Sequence, residues 1–182
     1  MLFASHAQRP SLSPALPPRR VAAMADDFEK AILFSFALPG AVDEGVRAQA
    51  ADLLQRVKAS PDSLQLLAER FVGSGYAEVK FWCLQALHEA ARSGRCGALP
   101  AEAQGALKRA LLVHGAAPGL PAYLRNKAAQ VVVALAAHEY PGTWPAFFQD
   151  LLSTLPQGAH SVDFFCRWVW VCEWVEGGGA FV

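Results

Sequence analysis

Residues 125–145, "RNKAAQVVVALAAHEYPGTWP", carry a long helical run that stops on two prolines with a tryptophan held between them. Pro141 cannot continue a helix that ends at Tyr140, and it pushes Tyr140 out of the α region. Pro145 presets the first turn of a following helix, with Thr143 or Trp144 near its cap. Trp144 then anchors the corner by burying on the order of 200 Å² against the paired helices. Tyr140, Pro141, Trp144 and Pro145 thus form a structural corner, and the fold question becomes what surrounds it.

Outward from this corner the chain reads as helix after helix. Val79, Trp82, Cys83, Ala86, Leu87 and Ala90 recur on one helical face, while Glu78, Gln85, Glu89 and Arg92 take the other. Val46, Ala50, Leu53, Leu54 and Val57 repeat the pattern behind a capping Asp43. Leu64, Leu67, Ala68 and Phe71 do so behind Ser60-Pro61, read as N-cap and first turn. Pro100 opens a helix whose stripe is Ala106, Ala110 and Val113 with Leu107 and Leu111. No tract of alternating β-branched residues bounded by hairpin turns is present, so the chain is expected to be all-α.

After a first helix over about 26–37, the helices fall into pairs: 43–58 with 61–72, 76–92 with 100–114, 121–140 with 145–155, and 160 onward. The first members start about 33, 45 and 39 residues apart, near the ~40–47 of HEAT and armadillo units. The expectation is a HEAT-repeat-like α-helical solenoid of about three and a half pairs. Phe81 and Leu84 support a stack over a compact bundle, since they lie off the main stripe and need neighbours on both sides of their helix.

The 182 residues hold 16 bases and 16 acids, so no strong overall field draws the chain to a polyanion. The first 23 residues carry Arg9, Arg19 and Arg20 and no acid, which leaves 13 bases against 16 acids from Met24 onward. That segment is rich in Ser, Pro, Ala and Arg, and reads either as a transit peptide or, preferably, as sequence upstream of a true start at Met24. It is expected to lie outside the fold, disordered. No apolar run reaches the ~18 residues of a membrane span, so no membrane insertion is expected.

Catalytic signals are weak. His88-Glu89 and His138-Glu139 lack the second histidine of HExxH and read as solvated or capping pairs. Neither GxGxxG nor GxxxxGK[ST] occurs. Cys83, Cys96, Cys166 and Cys172 form no CxxC pair and read as reduced thiols of a cytosolic or nuclear protein. No enzyme and no cofactor are expected. The remaining candidates for partner contact are Arg70, Lys108, Arg109, Arg125 and Lys127, each able to meet an acidic protein patch or an RNA phosphate.

"EYPGTWPAFFQDLL" (139–152) resembles the signature corner of importin-β-type nuclear transport receptors, where a helix ends in Glu, an aromatic and Pro, and Trp-Pro opens its partner. "FWCLQALHEAAR" (81–92) and "YLRNKAAQVVVALAAHEYP" (123–141) are similar in wording and order to exportin-T, particularly its plant form. "DDFEKAILFSF" (26–36) and "GAHSVDFFCR" (158–167) also fit. The resemblance covers residues 24–167 and implies the amino-terminal HEAT-type repeats of a receptor that carries tRNA from nucleus to cytoplasm with GTP-bound Ran. It further implies that these repeats mainly dock Ran, that most of the tRNA surface lies downstream, that pore proteins are partners, and that the receptor shuttles between nucleus and cytoplasm. In the stacked geometry of that family, Lys108, Arg109 and Arg70 belong to the concave side. The alternative reading is a static HEAT-type scaffold with no cargo cycle. Residues 168–182 depart from the family pattern, with Trp168, Trp170 and Trp174 spread around a helix before Gly177–Gly179, and read as an atypical tail from intron read-through or a truncated gene.

Overall fold

The computed structural model describes residues 18–176, with side chains placed from Asp27 to Arg167 save that of residue 157. The helices are α1 (Pro18–Phe36), α2 (Glu44–Ala59), α3 (Ser63–Gly73), α4 (Ala77–Arg92), α5 (Ala101–Gly115), α6 (Ala122–Glu139), α7 (Phe147–Leu152) and α8 (Ala159–Glu176). Short 3₁₀ turns lie at Arg95–Ala98 and Leu155–Gln157. Among the described residues there is no strand, and the chain is an all-α HEAT-like stack. No helix among them is long and apolar enough to cross a membrane.

Helix ends follow local chemistry. The Asp43 carboxylate accepts from the amides of Gly45 (2.8 Å) and Val46 (3.4 Å), capping α2. Pro100 and Pro121 sit at the N-caps of α5 and α6 in extended conformation. Gly94, at φ 72°, supplies the left-handed turn after α4 that a side chain would resist. Three expectations shift. Ser60 closes α2 and its carbonyl accepts from the Ser63 amide (3.2 Å), so Pro61 lies in a turn and α3 starts at Ser63. The seventh helix keeps only Phe147–Leu152. Helix α1 begins at Pro18, ahead of Asp26, because proline suits the first turn and "RRVAAMA" contains no helix breaker. The rest of the amino-terminal segment, residues 1–17, and the glycine run at 177–179 lie outside the described residues, as do the side chains of Trp168, Trp170 and Trp174.

Contacts between side chains set the topology. Phe81 and Tyr123 rings meet near the starts of α4 and α6 (6.1 Å), and His138 Nε2 meets the Arg92 carbonyl near their ends (3.1 Å), so these helices run parallel. Arg125 and Asp163 join the starts of α6 and α8 in the same sense. Helices α4, α6 and α8 make one layer, and α1 packs on α2 and α4 at its edge. In the second layer Phe71 of α3 meets His114 of α5 (6.4 Å). Helix α7 follows through Trp144, which lies beneath Lys108 of α5.

Close packing selects different neighbours from those the loop lengths suggest. Helix α3 lies along α4, and α5 along α6, while α2 barely touches α3. The tight antiparallel contacts are therefore α1 with α2, α3 with α4, and α5 with α6, one helix out of phase with the expected pairing. Short loops fix sequence neighbours but leave the crossing angle to the side chains. Helix α4 is buried on two sides, with Leu84 fully enclosed and Phe81 between Phe36 of α1 and Tyr123 of α6. Each enclosed leucine contributes about 1.5–3 kcal/mol. Gly115 closes the far end of α5: a Cβ there would stand 2.8 Å from Phe164 of α8 and 3.3 Å from Ala128 of α6, so a hydrogen is what lets the three helices meet.

The stripe of α5 also differs from its sequence reading. Leu107, Leu111 and Leu112 are buried, whereas Ala106 and Val113 face outward. The leucines of α5 are buried, while Ala103, Ala106 and Ala110 line, together with Leu107, a groove beside α3.

Candidate functional site

The corner breaks the chain at Pro141 as expected, but α7 starts at Phe147 with Ala146 at its cap, so Pro145 lies in the turn before the helix and neither Thr143 nor Trp144 caps it. Tyr140 is extended (φ −86°, ψ 140°) and joins Pro141 through a cis peptide bond. The Glu139 carbonyl accepts from the amides of Thr143 (2.8 Å) and Trp144 (3.0 Å), which folds the chain back. Trp144 is 4% exposed, its Nε1 donates to Asp150 Oδ2 (2.8 Å), and its ring meets Phe147 edge-on at 4.8 Å. Tyr140 is half-exposed against Phe148 (5.2 Å).

Lys108 reaches this corner from α5. Its ammonium lies 4.7 Å from the Trp144 ring centroid and pairs with the Glu139 carboxylate. The side chains are 12% and 6% exposed. Ion pair, cation–π contact and indole hydrogen bond thus form one buried array joining α5, α6 and the α7 turn. Beside it a groove of about 470 Å³ opens between α5 and α7, with Gln104, Arg109, Asp150 and Ser153 in its walls.

The other cations expected to meet partners are placed as follows. Arg70 faces Glu29 at 3.6 Å and ties α3 to α1. Arg125 is 7% exposed, donating to Asp163 Oδ2 (2.5 Å) and to the Leu120 carbonyl (3.0 Å). Arg167 Nε also donates to Asp163 (2.9 Å) while its Nη1 reaches Asn126, so α6 and α8 share one network. Hydrogen bonds from Arg167 and then Arg125 hold the Asp163 carboxyl below its ordinary range. Lys127 donates to His88 Nδ1 (3.0 Å) and Gln130 Oε1 (3.2 Å), joining α6 to α4. Arg109 is exposed on the wall of the α5/α7 groove. The structure brings Lys108 and Arg109 to one groove and sets Arg70, Arg125 and Lys127 at separate helix junctions.

His88 is not the solvated or capping residue that the sequence suggests, because it bridges to Lys127 of α6, whereas His138 is exposed and meets the carbonyl of Arg92, the last residue of α4, as a capping residue does. Burial, then the Lys127 charge, pushes His88 down to about 4 from an ordinary 6.5. Between those values the unfolded chain binds the proton and the folded one resists it, so stability rises with pH through this window. We expect the melting temperature to fall from pH 7 to pH 5, and His88→Gln, which can still accept from Lys127, to flatten that slope. An unchanged slope in the variant would show that His88 is not the group responsible.

Chemistry in the rest of the fold is quiet. Burial raises the Cys83 thiol to about 12 and the Cys96 thiol to about 11, so both stay protonated and poor nucleophiles. Among the described residues no group of three or more His, Cys, Asp or Glu is placed to hold a metal.

The inter-helix pairs escaped the sequence reading, yet their spacing carried a signal. His88–Lys127, Arg125–Asp163 and Asn126–Arg167 lie 39, 38 and 41 residues apart, close to one HEAT unit. Polar residues offset by one repeat on adjacent parallel helices are the natural partners in a stack.

A family model described as Exportin 1-like protein matches residues 121–171, which hold α6, the corner and the Arg125–Asp163–Arg167 network. The chain is 37% identical to Exportin-T of Oryza sativa subsp. japonica over 150 residues, 78% of this chain and 15% of the relative. Against Exportin-T of Arabidopsis thaliana it is 31% identical over 153 residues, with the same shares of 78% and 15%. Human Exportin-T is 32% identical over 132 residues, 69% of this chain and 14% of the relative. The chain therefore spans about 15% of the length of the curated relatives it matches.

Proposed function

We propose, from the premise that this chain belongs to the exportin-T family, that its helices are repeats of a nuclear export receptor whose cargo is tRNA and whose GTP-bound partner Ran docks mainly on the portion present here. The observation that carries this reading is the similarity to Exportin-T from plants to human over 69–78% of the chain. The receptor is proposed to pass the pore through contacts with pore proteins and to shuttle between nucleus and cytoplasm. It acts as a carrier, with GTP hydrolysed on the partner.

The α3, α5 and α7 face supplies the proposed docking surface, with Arg109 at the α5/α7 groove as its exposed cation. The inter-helix pairs of Arg70, Lys108, Arg125 and Lys127 give these residues a share in holding the docking surface together, beside any contact they make with a partner. Such locked cations supply few phosphate contacts, so the chain contributes a small part of a tRNA surface, whose affinity grows with each neutralised phosphate.

Pull-downs comparing GTP-loaded with GDP-loaded Ran test the docking role, and a tRNA gel shift with and without GTP-loaded Ran near physiological salt tests the cargo role. Selective capture of the GTP form, with little tRNA binding by these 182 residues alone, is the expected result. Equal capture of both forms would favour a static scaffold, and tight Ran-dependent tRNA binding would place the cargo site within this chain.

A further inference from the structure

We propose that the groove between α3 and α5 is a docking site for an amphipathic helix of a partner protein, with small aliphatic anchors on one face and Lys or Arg along its flanks. The groove has a volume of about 620 Å³. One wall presents Leu64, Ala68 and Val72 at four-residue spacing along α3, and the other presents Ala103, Ala106 and Ala110 along α5. Phe71 near the end of α3 meets His114 near the end of α5 (6.4 Å), and the two stripes line one trough. From Leu64 to Val72 the trough is about 12 Å long, which accepts roughly two turns of helix. Its alanines leave room for a third helix to seat aliphatic side chains as ridges into the groove.

The rim decides the chemistry of the occupant. Glu69 and Glu102, one on each wall, are both exposed, and among the described residues no cation lines the groove. Gln65 donates to Glu69 Oε1 (3.0 Å), which steadies that carboxylate at the edge. An apolar trough bounded on both sides by carboxylates favours an apolar face flanked by positive charge and rejects one flanked by negative charge. The groove lies on the α3, α5 and α7 face proposed above for Ran, but the inference rests only on its apolar walls and two carboxylates and not on the transport reading.

The test is fluorescence anisotropy of the full chain with two labelled synthetic helices of about 18 residues, long enough to hold helix in water. Both carry the same Leu/Ala face, and their flanks are Lys in one and Glu in the other. The Lys helix is expected to bind about fivefold or more tighter, as two rim pairs allow. Glu69→Lys with Glu102→Lys should reverse the preference. Ala106→Trp, on an exposed position that fills the trough, should weaken the Lys helix about tenfold with unchanged melting. The proposal is overturned if the two helices bind alike, if Ala106→Trp leaves affinity unchanged, or if the Lys helix fails to bind up to ~1 mM. Loss of GTP-selective Ran capture would leave this titration untouched, so the two readings fail separately.

Discussion

Replacing Trp144 by alanine is expected to cost about 3–5 kcal/mol of stability, the range for deleting a buried large aromatic. Against a typical total of about 5–15 kcal/mol, that takes the chain near its unfolding threshold. Three separate terms disappear together. The indole surface, 4% exposed, leaves a cavity between α5 and the α7 turn. Asp150 loses the Nε1–H donor at 2.8 Å, and Lys108 loses the ring 4.7 Å from its ammonium. Trp144→Phe separates them, because it keeps most of the apolar contact and forfeits the indole hydrogen bond, and it should cost about 1–3 kcal/mol. Urea titration measures both. A loss below about 1 kcal/mol for the alanine variant would mean that the corner collapses around the gap and that Trp144 does not anchor it.

Lys108→Ala is expected to cost a similar ~3–5 kcal/mol, for an electrostatic reason. Its partner Glu139 is 6% exposed at the end of α6, so removing the ammonium strands a carboxylate out of reach of water. The net worth of the intact pair is smaller, since bringing both charges out of water offsets much of their attraction. That asymmetry gives the check: Lys108→Met combined with Glu139→Leu should recover most of the loss. The cycle is read from urea midpoints of the two single variants and the double one. Additive costs would show that the two charges do not depend on each other. Lys108 also touches Trp144, so Lys108→Ala and Trp144→Ala together should cost less than their sum.

What the sequence by itself determined is what local chemistry controls. Proline at 100, 121, 141 and 145, a capping Asp43, and apolar residues every three or four positions specified the helices after α1 and the corner to within a few residues. Wording in "EYPGTWPAFFQDLL" and "YLRNKAAQVVVALAAHEYP" points to the exportin family, to which the similar plant proteins belong. The off-stripe Phe81 and Leu84 signalled a helix with neighbours on both sides, as α4 has. Each of these signals spans a turn of helix or a short loop, which is the range over which sequence spacing fixes geometry.

Only the tertiary structure decided which helix each one packs against and where the charges end. Lys108 looks like a surface base on α5, and nothing within four residues of it shows that Glu139 and Trp144 will enclose its ammonium from a later helix. Arg125 and Lys127 likewise find Asp163 and His88 38 and 39 residues away. The alanine side of α5 reads as core, yet its leucines are what is buried, and Ala103, Ala106 and Ala110 line a groove beside α3. Helical periodicity tells which residues share a face, but a helix such as α5 offers two faces apolar enough to bury. The choice between them falls to the shape of the neighbours, through contacts individually of about 0.1–0.2 kcal/mol that count only when summed over a whole interface.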